Sequence, residues 1–247
     1  MILSKFEILV TKLSITYKMR YSTILLLTFL TFATSISAYS QIHLGIKGGI
    51  NLADMNGRID GIKDSDTKVK LGFNVGGIMN YSFTDVFILE SGLILESKGY
   101  EYRFDNNGAF SSKAEYGKLV TNVLYLDIPI NLKAYFDLGN TKFYGLFGPY
   151  LGFALSGKLK STGDLKSDLE ELGLDTEENL EFGGSASNDN LKGYDFGLML
   201  GLGVAVEDFE IGLSYDLGLV NILPGGDGDN YIKNGVFKVT VGYLFQE

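Results

Sequence analysis

The sequence predicts an all-β protein, an eight-stranded antiparallel up-and-down transmembrane β-barrel with long external loops. Three observations predict it. Apolar residues recur at every second position in eight separate stretches between residues 41 and 245, and a period of two puts alternate side chains on opposite faces of a strand. The positions between them carry glycine and charge rather than the mixed polar residues of a wetted sheet. The connections alternate between short and long, which gathers every long loop at one end of the sheet.

The first stretch, QIHLGIKGGINL at 41–52, sets Ile42, Leu44, Ile46, Ile50 and Leu52 against His43, Gly45, Lys47, Gly49 and Asn51. The second sets Val69, Leu71, Phe73, Val75, Met79 and Tyr81 against Lys70, Gly72, Asn74, Gly76 and Asn80. In the third, Phe87, Leu89, Leu93 and Leu95 face away from Glu90, Gly92, Glu96 and Lys98. The fourth opposes Leu124, Leu126, Ile128, Ile130, Leu132 and Phe136 to Tyr125, Asp127, Asn131, Lys133 and Tyr135. The fifth opposes Phe143, Phe147, Leu151, Phe153 and Leu155 to Tyr144, Gly148, Tyr150, Gly152 and Ser156. The sixth runs from Tyr194 to Val206 with Asp195, Gly197, Gly201 and Gly203 on its other face. The seventh alternates Phe209, Ile211, Leu213, Tyr215, Leu217 and Leu219 with Glu210, Gly212, Ser214, Asp216 and Gly218. The eighth alternates Phe237, Val239, Val241, Tyr243 and Phe245 with Lys238, Thr240 and Gly242. Short connections fall at Ser82–Val86, Asp137–Lys142 and Glu207–Asp208. Long ones fall at Ala53–Lys68, Glu101–Lys118, Gly157–Asn190 and near Leu223–Asn234.

Alternation alone does not say which face points inward, because a soluble lipocalin-like barrel also has eight alternating strands. Five to seven bulky apolar side chains per strand exceed what an eight-stranded interior holds. Glycine facing water only weakens a strand, whereas glycine facing a narrow interior makes room for Lys, Glu and Tyr across it. Strands of about ten to thirteen residues match the ~9–11 that cross a bilayer. Tyr81, Tyr194, Tyr215 and Tyr243 stand on the apolar face, as an interfacial girdle requires. The greasy face therefore meets lipid. Pro129 and Pro149 fall inside the fourth and fifth stretches, and pairing brings residue 129 near residue 150, so a local bulge is expected there.

Composition narrows the rest. The 247 residues contain 32 glycines, three prolines, no cysteine and one histidine. Disulfides, thiol catalysis and cysteine or multi-histidine metal sites are excluded. A net charge of −9 argues against nucleic acid. Residues 1–40 read as an upstream segment plus signal peptide: Met19-Arg20, an apolar run over 23–33, then small residues, with Ala38 and Ser40 preceding a cut before Gln41. Met19 is the alternative start, and an uncleaved anchor helix the alternative reading of the run. Cleavage removes four positive charges and one negative, leaving 17 Lys+Arg against 29 Asp+Glu in a barrel domain of 41–247, a net −12.

HLGIKGGINLADM at 43–55, YLDIPINLKAYF at 125–136, FYGLFGPYLGFALSG at 143–157, YDFGLMLGLGVAVED at 194–208 and VGYLF at 241–245 resemble the PorT-like outer-membrane β-barrel family of Bacteroidota. The resemblance spans the mature chain and implies the barrel fold and an outer-membrane location with both termini periplasmic. It also implies kinship with members implicated in a cell-envelope secretion pathway, and it supplies no set of functional residues. The ending Phe245-Gln-Glu departs from a chain that stops on its last aromatic residue. Recognition of the last strand by the barrel-assembly machinery is expected.

No catalytic, cofactor-binding or metal-binding residue is assigned. Lys47, Lys98, Lys133 and Lys238 share the inward face with Glu90, Glu96, Asp127, Asp195, Glu210 and Asp216. With Lys70 beside them, they are expected to neutralise one another as a structural network. A small gated pore and acid–base catalysis are the alternatives. His43, near the periplasmic end and facing inward, lies on the wrong rim for a lipid-modifying enzyme. The loop Gly157–Asn190 carries nine acids against three lysines, a net −6. Leu165, Leu169, Leu172 and Leu174 within it could form a short helix. It is a solvated loop or a surface for cations or a basic envelope or extracellular partner. Pro224–Asn230 is expected to be a turn rather than a calcium loop. The function expected is non-enzymatic: a structural, adhesion or envelope-assembly role exercised through the external loops. A narrow channel comes second, and a barrel enzyme or soluble ligand binder after that.

Overall fold

In the computed structural model the described residues are 41–59, 62–63, 67–106, 115–139 and 141–245. The signal-peptide reading of residues 1–40 lies outside them. Eight long strands follow one another: β1 (Ile42–Ile59), β2 (Lys70–Ser82), β3 (Phe87–Asn106), β4 (Glu115–Leu138), β5 (Thr141–Gly163), β6 (Tyr194–Val206), β7 (Phe209–Gly218) and β8 (Tyr231–Leu244). Each pairs with its neighbour in sequence, and β1 pairs antiparallel with β8 from Gly45↔Leu244 to Arg58↔Tyr231. The sheet closes on itself and leaves no edge strand along the barrel wall, which is what permits a sheet to cross a bilayer.

The apolar positions face out. Ile46, Leu71, Leu93, Phe147, Leu200 and Leu213 are all exposed, Leu200 at 65%. The same alternation buries Asn51, Glu96, Lys98, Lys133, Asp195 and Asp216 on the other face. A soluble barrel would show the reverse. Tyr81 and Phe83, and the chain Phe209–Tyr243–Phe245, form ring contacts at the short-turn end with centroids 5.0–5.7 Å apart, where an aromatic girdle belongs.

Tight turns fix the short-turn end. The Thr84 hydroxyl accepts the N–H groups of Val86 and Phe87 at 3.2 and 2.9 Å. Glu207 takes a φ of 53° in the two-residue turn between β6 and β7, which a hairpin twisted to match its strands asks of its first residue. Because this end is pinned, extra strand length emerges at the other. β3, β4 and β5 run for 20, 24 and 23 residues, about twice the ~9–11 needed to span.

The strands are therefore longer, and the loops shorter, than the alternation suggests. The stretches 101–106, 115–118 and 157–163 are strand rather than loop. The loop after β5 is itself built: helix α1 (Asp164–Glu171) is followed by a short strand at Glu177–Asn179 that pairs with Lys158–Lys160 of β5. Leu165 and Leu169 lie in α1, and Leu172 and Leu174 beyond its end.

The bulge expected at the prolines is not there. Pro129↔Tyr150 and Leu132↔Phe147 keep one register, and the pairs between them are simply absent. Proline lacks the N–H of a ladder bond, and omitting a bond needs no extra residue. The Ser91 hydroxyl donates to the Pro129 carbonyl at 2.8 Å instead. The bulge between β4 and β5 lies at Leu124/Tyr125, where Leu155 is the additional residue.

Candidate functional site: the lumen and the loops above it

The inward side chains stack in layers. Nearest the short turns, Lys133 of β4 stands between Glu90 of β3 and Glu210 of β7. Its ammonium lies 3.0 Å from Glu90 Oε2 and 2.6 Å from Glu210 Oε2. Lys47 of β1 reaches Glu90 Oε1 at 2.7 Å. The hydroxyl of Tyr135 donates to Glu210, and the Lys133 ammonium sits 4.2 Å from the Tyr144 ring centre and 5.2 Å from that of Tyr135. Two lysines meet two glutamates, so this layer balances.

A second layer repeats the device nearer the long loops. Lys98 pairs with Asp127 at 2.8 Å and Asp195 at 3.2 Å, and lies 4.4 and 4.9 Å from the ring centres of Tyr150 and Tyr125. Both cages thus take one lysine, two carboxylates, a tyrosine of β4 and a tyrosine of β5, a ring geometry that favours cations. Tyr150 donates to Asp195 at 3.0 Å, as does the Asn234 amide at 2.9 Å. Beside them Lys238 pairs with Asp216 and, at 3.4 Å, with Glu96. Asn51 donates to Glu96 at 3.0 Å and accepts from Asn74 at 2.6 Å. This layer holds four carboxyl groups against two ammonium groups.

Ion pairs this deep contribute little net stability, because desolvation offsets attraction, yet removing one partner strands the other. Lys70 stands apart, donating to the Ser97 hydroxyl at 3.0 Å. Carboxylate oxygens of Glu96, Asp127 and Asp216 come within 4.8 Å of one another, the one such grouping among the described residues. Lys238 and Lys98 already stand among them, so ammonium supplies the positive charge a metal would bring. His43 is half-buried at the start of β1, at the short-turn end.

Between the layers lies a cavity of about 40 Å³, bordered by the apolar Ile78, Ile94, Leu146 and Met199 and by polar Asn74 and Asn131. That is room for roughly two or three waters. Above the second layer the lumen ends in an apolar plug. Met55 of β1, Val123 and Tyr125 of β4 and Ile232 of β8 bury Leu191 and Ile222, which come from the two loops flanking β6 and β7. Backbone bonds hold the plug: Lys192 N–H to Ile222 O and Ile222 N–H to Ile232 O, both 2.8 Å. The Lys192 ammonium ties the same loops through Asn221 O at 2.8 Å. Met55 and Ile232 fall in what the sequence reads as long connections and Val123 just before the fourth stretch, and nothing periodic points at Leu191 or Ile222.

Outside, the acidic loop is fastened to the barrel. Glu177 meets Lys160 at 2.7 Å and Lys158 at 3.4 Å. The Lys160 hydrogen bond, more than any other influence, holds its carboxyl below the usual glutamate range. The Pro224–Asn230 segment is a turn: Asp227 Oδ1 accepts the N–H groups of Asp229 and Asn230 at 2.9 and 2.8 Å, bonds that lower the Asp227 carboxyl.

Several solved structures are similar to this chain at low identity. Ail, the attachment invasion locus protein of Yersinia pestis, is 18% identical, with 83% of this chain and 99% of that one covered and a TM-score of 0.36. OprG of Pseudomonas aeruginosa is 20% identical over 84% and 97% of the two chains, with a TM-score of 0.40. Neisserial surface protein A is 13% identical over 82% and 97%, with a TM-score of 0.39. Likeness at this level carries nothing about function. No curated protein matches the sequence. Residues 32–223 match the outer membrane protein β-barrel domain, and the chain, a closed ring of strands with its apolar face outward, belongs to that family of outer-membrane proteins.

Proposed function

We propose that this chain is a non-enzymatic outer-membrane protein with a structural, adhesion or envelope-assembly and secretion-associated role, acting through its external loops. One contrast carries the reading. The lumen is filled by two charged layers and an apolar plug, while β3–β5 raise a folded, acidic structure well beyond the lipid-facing belt. A protein that moved solutes would spend its sequence on the bore; this one spends it on what stands above. In this reading residues 1–40 are a leader cleaved before Gln41, and both termini are periplasmic. The barrel-assembly machinery reads the C-terminal strand, and the chain sits in the PorT-like branch its phrases resemble. Crosslinkers placed at successive positions of the long loops in intact cells test it. Attachment of an envelope or extracellular protein to those loops supports the reading, and labelling confined to lipid overturns it.

The second reading, a narrow channel, draws on the cavity between the layers. Gating would require both the ion pairs and the plug to part.

A further inference from the structure

Helix α1 ends in a turn that lifts two leucines into solvent. Gly173 N–H donates to Glu170 O at 3.1 Å and Leu174 N–H to Leu169 O at 2.9 Å, and Gly173 takes a φ of 70°. This is the paired closure of a Schellman turn, so the tip is held in one conformation. Leu172 is 72% exposed and Leu174 56%. Such a turn ordinarily folds an apolar residue back onto the helix; here both leucines stay largely exposed.

The surroundings are strongly acidic. Residues 164–190 hold nine carboxylates against the single Lys166, a net −8. Asp168, Glu170, Glu171, Asp175 and Glu178 around the tip are all exposed. Glu177, beneath, is pinned to Lys158 and Lys160, so the tip rides on the barrel wall. A metal ion would use the carboxylates and leave the leucines in water. A lipid surface would take the leucines, but its phosphates would meet a net −8. One class of occupant satisfies both features.

We propose that Leu172-Gly173-Leu174 is a docking tip for a protein surface with an apolar pocket rimmed by lysine and arginine. The acidic collar steers the encounter, and the preorganised leucines anchor it. This rests on the reading that the external loops carry the function.

The test uses the full barrel in zwitterionic vesicles, with empty vesicles subtracted. Two probes are compared: a helical lysine–leucine peptide, and a lysine–serine peptide of equal length and charge. The parent is expected to bind the leucine peptide about tenfold more tightly, two anchor side chains commonly accounting for that much. Leu172→Ser with Leu174→Ser should abolish the preference while keeping salt-sensitive binding of both peptides. Glu170→Gln, Glu171→Gln and Asp175→Asn together should weaken both. An unchanged preference in the double leucine variant overturns the proposal. So does binding no stronger than to empty vesicles, or displacement of both peptides by stoichiometric calcium. In-cell attachment through the loop at 219–230 but not the tip would sink this inference and leave the loop-based function standing; attachment nowhere would sink both.

Discussion

Tyr144 of β5 and Gly203 of β6 are direct cross-strand partners, and the phenol of Tyr144 lies over the glycine where a Cβ would be. Tyr150 and Gly197 repeat the relationship six residues later in β5 and six earlier in β6, with a Cβ at Gly197 falling 2.6 Å from Tyr150 Cε1. The glycines leave the space that lets two tyrosines lie flat and flank the buried lysines. The glycine-and-charge face of the strands is thus one device: small residues admit rings, and rings with carboxylates hold ammonium groups.

The packing is testable at Gly212, where an added Cβ would meet the Tyr144 hydroxyl at 2.5 Å and no backbone atom closely. Gly212→Ala should lower the unfolding free energy by about 1–3 kcal/mol through overpacking. Tyr144→Phe in the same chain should restore most of it. Urea unfolding in lipid vesicles measures both, and a Gly212→Ala penalty that ignores Tyr144→Phe would refute the contact.

Lys133 neutralises two buried glutamates. Lys133→Met should cost about 3–5 kcal/mol, because it leaves buried charge unpaired. Adding Glu210→Gln should recover part of the loss, since the pair is coupled. Additive losses in the double variant would show that the layer does not act as a unit.

Acid should loosen the loop that follows β5. The folded-state carboxyl of Glu177 is depressed by Lys160 and Lys158. The stability its pairing lends is therefore present above the unfolded glutamate value and lost as pH falls through the lower folded one. Protection against hydrogen exchange, taken relative to the intrinsic rate at each pH, should fall over that acidic range at Leu180 and Ser161, whose N–H groups bond to Gly157 O and Thr176 O. Glu177→Gln should remove the dependence, and a pH profile unaltered by that change would contradict the assignment.

The lumen should pass nothing larger than water and small ions. Among the described residues, charged layers and an apolar plug stand across the bore, with a cavity of about 40 Å³ between the layers. Planar bilayers carrying the purified protein should show no steady large conductance; such a conductance would favour the channel reading.

Alternation made the barrel legible: eight stretches of period two are the eight long strands. It could not assign partners, which lie far apart in sequence. Lys98 meets Asp195 across 97 residues and Lys238 meets Glu96 across 142. The strand ends lie beyond the alternation for a physical reason. Once β3–β5 leave the lipid, pairing rather than apolar burial sustains them, so Gly157–Gly163 has no greasy stripe to show. The plug was hidden because Leu191 and Ile222 sit in loops, where no periodicity marks an apolar residue as inward. At Pro129 and Pro149 the missing donor was legible; the retention of register was not.

The leucine face meets lipid and the tyrosine–lysine face fills the bore. The chain has no tryptophan, so a single introduced one reports cleanly. Leu200 is 65% exposed on the outer wall, and Tyr150, 1% exposed, lies in the lumen beside Lys98. Leu200→Trp and Tyr150→Trp, each in vesicles of lipid bearing a quencher at mid-chain, set the two faces against each other. Strong quenching at 200 with little at 150 is the predicted result; quenching at 150, or at neither position, would contradict the account.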